Sequence, residues 1–174
     1  MKLFLTGDPG CGKTSAILRV VDALAGRVAM SGFVTEETLV DGKRSGFRGR
    51  TLDGRTFELA RVRRASPFQV GPYGVTLDGL ESIGIPAIEP RAGIGLVVLD
   101  EVGKMESFSV PFREAVERLL ASEVPVVGTV ASHGVGFPKK LRHDPRVTLV
   151  KMSRPSRAWA VGEILRRLDP EIAR

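Results

Sequence analysis

The stretch Gly7-Asp8-Pro9-Gly10-Cys11-Gly12-Lys13-Thr14 constrains this chain more than any other. An apolar run, Leu3-Phe4-Leu5, precedes it, and Ser15-Ala16-Ile17-Leu18-Arg19-Val20-Val21 follows. The order is strand, glycine-rich loop, helix, the context in which the pattern G-x-x-x-x-G-K-[ST] works as a phosphate-binding P-loop. Glycines let the backbone curl so that N–H groups converge on phosphate oxygens. The helix opening at Gly12 aims the positive end of its dipole at the same anion. Lys13 is placed to reach the β- and γ-phosphates, and Thr14 offers a hydroxyl to Mg²⁺. The whole stretch from Gly7 to Thr14, with Asp8, Pro9, Gly10, Cys11 and Gly12, is the expected phosphate cradle. A thiol at a helix start could be acidified. The simpler reading of Cys11, which we adopt, is that it fills a variable loop position.

A second stretch supplies acids. Ile94-Gly95-Leu96-Val97-Val98-Leu99-Asp100-Glu101 has four consecutive apolar residues ending in two carboxylates. This predicts a parallel strand buried on both faces, with its acids at the C-terminal edge. Ligands bind at that edge in open α/β sheets. Asp100 therefore has the Walker B position and is expected to hold Mg²⁺ together with Thr14. Glu101 is placed to deprotonate a water attacking the γ-phosphate. The expected nucleotide site takes in Val97, Val98, Leu99, Asp100, Glu101, Val102, Gly103 and Lys104 besides the P-loop.

Around these stretches the chain alternates strand and helix signals. A helix is expected from about Gly12 to Ala25, with Ala16, Ile17, Val20, Val21 and Leu24 on its inner face. From Val28 to Val62 the pattern is an antiparallel meander, turning at Asp41-Gly42 and Asp53-Gly54 and too short for a domain of its own. Its Arg44, Arg48 and Arg50 read either as site cations or, preferably, as a solvated strand face. Residues 65–95 are rich in Pro and Gly. A weak helix is expected near Leu77–Gly84, and turns at Pro86, Pro90 and Gly93. Ser109 and Pro111 start a helix to about Ala121. Pro125–Val130 and Arg146–Val150 are further strands. The first brings Thr129 to His133 to the ligand edge, and we read His133 as a solvated loop residue. The basic segment 134–146 is either a mobile lid or an ordinary solvated loop. Pro155 opens a last helix with Trp159, Ile164, Leu165 and Leu168 on its apolar side.

At 174 residues and 43% apolar content, the chain suits one domain over residues 1–174 with a packed core. No run approaches the ~18 apolar residues of a membrane span. Met1-Lys2 enters the first strand directly, leaving no room for a signal peptide, and one cysteine excludes an internal disulfide. A cytoplasmic protein with no membrane partner is the expectation, and a monomer is favoured. The net charge of +6 suits either nucleic acid or polyphosphate. Scattered cations and few aromatics disfavour nucleic acid without excluding it.

Four stretches together resemble a known family, the cancer-related and thermophile-type nucleoside-triphosphatases of the P-loop class. They are Thr6–Thr14; Gly32-Phe33-Val34-Thr35-Glu36-Glu37 with Gly46-Phe47; Val70-Gly71-Pro72-Tyr73-Gly74-Val75; and Leu99-Asp100-Glu101-Val102-Gly103-Lys104-Met105-Glu106. The last is the most family-specific. The resemblance implies an α/β, kinase-like P-loop fold of three layers, with a mainly parallel central sheet and an added antiparallel hairpin or meander. It also implies Mg²⁺-dependent hydrolysis of ATP, GTP and other nucleoside triphosphates with loose base choice. The family often shows Asn-Arg at the start of the last helix, where this chain has Ser156-Arg157. The paired donor and acceptor of asparagine are lost, so base preference held there is not expected to transfer. Two other functions stay open: a nucleoside, nucleotide or polynucleotide 5′-kinase, and an ATP-gated nucleic-acid-binding module.

Overall fold

The computed structural model describes residues 1–154 and 157–172. The apolar run before the glycine loop is β1 (Lys2–Thr6), buried throughout. α1 (Lys13–Leu24) follows, burying Ala16, Ile17, Val20 and Leu24 at helical spacing. The meander is β2 (Met30–Val40), β3 (Lys43–Thr51) and β4 (Thr56–Val62). Asp41 and Gly42 both have positive φ, 49° and 72°, as a type I′ hairpin turn requires. A small hairpin of β5 (Gln69–Val70) and β6 (Tyr73–Val75) comes next, then α2 (Ile85–Ile88). The rest is β7 (Leu96–Val102), α3 (Val110–Ala121), β8 (Val126–Val130), α4 (Phe137–Arg142), β9 (Thr148–Lys151) and α5 (Arg157–Ile172).

The strands form one sheet in the order β5-β6-β4-β3-β2-β7-β8-β1-β9. The five strands from β2 to β9 run parallel, and the meander and small hairpin extend them antiparallel. β2 belongs to both halves: one edge pairs with β7, the other with β3. The meander is therefore continuous with the parallel sheet. Side chains alternate between two cores. Leu3, Leu5, Leu96 and Val98 pack with the buried faces of α1 and α5. Phe4, Val97 and Leu99 pack with α3 on the other side. Burial on both faces is why these strands read as continuous apolar runs. Each such side chain contributes ~1.5–3 kcal/mol relative to exposure.

Three expectations need correction. Pro86 lies inside a helix rather than at a turn. A π-helical turn, Leu80–Gly84, leads directly into α2, and the Ile85 N–H donates to the Leu80 carbonyl. The widened turn and the first-turn position of Pro86 in α2 accommodate a residue that cannot donate. Trp159 is 57% exposed and not core, because the buried stripe of α5 is Ala160, Ile164 and Leu168. Segment 134–146 contains α4, which is docked rather than loose. Pro138 and Leu141 are buried, and Glu117 of α3 holds both Lys140 and Arg146 at 2.7 Å. The expectations for Pro155 and Ser156 fall outside the described residues.

Candidate active site

The P-loop sits between the end of β1 and the start of α1. Gly10 and Gly12 have φ of 72° and 99°, left-handed values that residues with a β-carbon adopt at a cost. The Lys13 ammonium folds back over the loop, donating to the Gly7 carbonyl at 3.0 Å. It stands 3.5 Å from the Asp8 carbonyl and 3.9 Å from the Glu101 carboxylate. Cys11 is buried, which fits a loop-filling role.

β8 lies between β1 and β7, so the P-loop and the strand carrying Asp100 are separated by one strand. That intervening strand supplies Thr129, fully buried, whose hydroxyl donates to Asp100 Oδ1. Thr35 of β2 donates to the Asp100 carbonyl at 2.9 Å. Asp100 is thereby held from both neighbouring strands. Its carboxyl is pushed above the usual range by burial, and Thr129, Thr14, Lys13 and the Thr35 backbone oppose the rise. Its second oxygen, Oδ2, is buried with no hydrogen-bond partner among the described residues. A buried carboxylate with an orphaned oxygen beside a threonine hydroxyl suits a hard, oxygen-preferring cation.

Burial also pushes Glu101 up, with Lys13 opposing the rise and Asp100 adding to it. Its side chain remains 35% exposed and open to solvent. Glu106 completes the acidic group. It is 4% exposed, and its Oε2 accepts from the Gly103 N–H at 3.0 Å. Burial first, then the charges of Glu101 and Asp100, push it up to about 8, against the hydrogen bonds of its own N–H and that of Gly103. The folded state thus binds a proton between pH 4.5 and 8 that the unfolded chain has released. Stability falls as pH rises through that window. In metal-free buffer, Glu106→Gln is therefore expected to gain on the wild type between about pH 5.5 and about pH 9. Melting curves at both pH values check this, and a constant difference contradicts it.

The structure brings Gly7, Asp8, Pro9, Gly10, Gly12, Lys13, Thr14, Asp100 and Glu101 to one sheet edge. Val97, Val98, Leu99 and Val102 are 0% exposed, their side chains sealed inside the sheet, and β7 carries Asp100 to the sheet edge. Gly103 is buried, and Lys104 is exposed at the rim. Arg48 and Arg50 both pair with Glu36, at 3.0 and 2.7 Å, and Arg44 pairs with Glu37. These are cross-strand pairs on the meander. Sequence reasoning brings Thr129 to the ligand edge and quotes Thr35 and Glu106 only within family-like stretches, and it gives none of the three a role. The available signals are a threonine near the end of β8 and an acid in the turn that follows β7.

A cleft of about 710 Å³ opens beside the P-loop. Gly7 and Asp8 form one wall, the end of β9 another, and Ser132 and His133 the rim. Arg142, the last residue of α4, and His143 just after it close the cleft. Arg142 is fixed there by bonds to the Ala131 and Gly134 carbonyls. His133 is exposed in the loop at the cleft rim, its Nδ1 2.8 Å from the Ser132 hydroxyl, as expected of a solvated loop residue. The volume lies within the ~300–1,000 Å³ of small-molecule sites.

A family model described as NTPase matches residues 2–165. The chain belongs to this NTPase family. Its similarity to members of the family runs almost end to end. It is 41% identical over 167 residues to the nucleoside-triphosphatase THEP1 of Thermotoga sp. (strain RQ2), covering 95% of this chain and 94% of that one. It is 38% identical to the cancer-related nucleoside-triphosphatase homolog of Mus musculus, over 74% of each chain. Among solved structures, the crystal structure of THEP1 from Aquifex aeolicus superposes with a TM-score of 0.87 at 32% identity, covering 97% of this chain and 99% of that one. Among the described residues, no helix is long and apolar enough to cross a membrane.

Proposed function

We propose that the protein hydrolyses nucleoside 5′-triphosphates to the diphosphate and phosphate, with Mg²⁺ as its cation and loose base choice. The observation that carries the reading is the 3.9 Å approach of the Glu101 carboxylate to the Lys13 ammonium at the mouth of the P-loop. It puts a base and a phosphate-binding cation on the same side of one small site.

The P-loop backbone and Lys13 hold the β- and γ-phosphates, and Lys13 offsets charge that develops as the γ-phosphoryl group leaves. Glu101 orients a water in line and takes its proton. The water oxygen bonds to the γ-phosphorus, and the bond to the bridging oxygen breaks. Thr14 and the free oxygen of Asp100 would hold Mg²⁺. A bound ion would neutralise phosphate charge and oppose the effect of burial on the Asp100 carboxyl. The nucleoside occupies the cleft between the P-loop, β9 and α4. We read the enzyme as cytoplasmic.

Phosphate release without any added acceptor tests this proposal. The expected result is release from ATP, GTP, CTP and UTP that stops in EDTA, with kcat/KM for ATP and GTP within about tenfold, ~1.4 kcal/mol. Release that needs a nucleoside or an oligonucleotide end as acceptor favours a kinase instead. A preference above a hundredfold for one base overturns the phosphate-centred reading.

A further inference from the structure

We propose that Glu106 is a positioning residue for hydrolysis: its carboxyl, locked on the Gly103 N–H, braces the turn that aims Glu101. The inference rests on Glu101 acting as the base. A buried acid is a costly way to fill space, and such groups are normally paired. Among the described residues, no Lys, Arg or His makes an ion pair with Glu106. An ion-pair role therefore does not account for it.

Its surroundings point to a clasp. Glu106 opens a 3₁₀ turn, Glu106–Phe108, just beyond the end of β7. The Gly103 N–H donates to its Oε2 at 3.0 Å, and the Gly103 carbonyl accepts from the Ser107 N–H at 3.2 Å. The turn is thus closed from both ends, two residues from Glu101. A β-carbon on Gly103 would fall 2.9 Å from Glu106 Oε2 and 3.9 Å from Glu101 Oε2. The two carboxyl groups therefore flank the same glycine, and a side chain there would push the Glu106 carboxyl away from the Gly103 N–H. Among the described residues the Glu101 carboxylate makes no hydrogen bond, and its nearest charged partner is Lys13 at 3.9 Å. Its aim depends on its backbone, which the clasp fixes. A displacement of ~1 Å at a reacting group costs about 10²-fold in rate.

The test compares wild type, Glu106→Ala, Glu106→Gln and Glu101→Gln with Mg²⁺–ATP at neutral pH. Glu106→Ala is expected to lower kcat about 10–100-fold while KM changes by less than about threefold. Glutamine offers an oxygen to the same N–H, so Glu106→Gln should restore kcat to within about threefold of wild type. The proposal is overturned if alanine leaves kcat intact, if the loss falls on KM, or if glutamine is as slow as alanine. Should the alanine variant not fold, Glu106→Leu fills the space without an acceptor and is read the same way. The outcomes separate the two ideas. Normal turnover in Glu101→Gln removes the base reading, and this one with it. A slow Glu101→Gln beside a fast Glu106→Ala removes only the clasp.

Discussion

Replacing Lys13 with alanine is expected to lower turnover by about 10³-fold or more, ~4 kcal/mol of barrier, in a protein that still folds. Two losses combine. The ammonium is a point charge beside the transferring phosphate, and nothing else in the P-loop replaces it. It is also the cation that holds the Glu101 carboxyl down against burial. Without it Glu101 is a base with a less favourable ionised form. Stability should change little. The ammonium's contacts are with the Gly7 and Asp8 carbonyls, at 3.0 and 3.5 Å, on a loop that water can reach. Phosphate release and a melting curve on one preparation check both halves. Near-wild-type turnover in a folded variant would sink the P-loop assignment.

Glu101→Gln should trap nucleotide rather than lose it. Asp100 is sealed in the sheet, held by Thr129 and Thr35, so its loss disturbs cation binding as well as rate. Glu101 is one residue further on and 35% exposed, facing the Lys13 ammonium. Glutamine keeps its size but is a far poorer proton acceptor. Loss of a general base costs about 10²–10⁴ in rate, ~3–5 kcal/mol, without touching ground-state phosphate contacts. The expected result is a large fall in kcat, with the Mg²⁺–ATP dissociation constant changed by less than about fivefold. If Glu101 only caps the following turn, the variant would melt earlier and turn over normally. Measuring rate, affinity and melting temperature together decides between these roles.

The order of residues along the chain already carries the P-loop, because its chemistry is local. The strand, the glycines, the lysine and the helix start are consecutive, and backbone geometry does the rest. β7 is legible in the same way, because a strand buried on both faces has no polar position until it reaches the sheet edge. The burial along that run is not legible in the same way. A run of letters does not say that Val97, Val98 and Leu99 are sealed at 0% exposure while Asp100 ends the run.

Other features are out of the sequence's reach because they depend on contacts between residues far apart in the chain. Thr129 becomes Asp100's partner only because β8 inserts between β1 and β7. Trp159 faces outward because α5 has Ala160, Ile164 and Leu168 for its buried stripe, a rotation of the helix that composition does not dictate. The basic segment after His133 is docked because Glu117, on another helix, holds both Lys140 and Arg146. By itself the sequence determined the motif chemistry, the strand and helix types, and the family, because these follow from spacing along the chain. Tertiary structure alone decided which acid is orphaned, which is clasped and which is open to water, because burial and pairing are set by neighbours that spacing does not reveal.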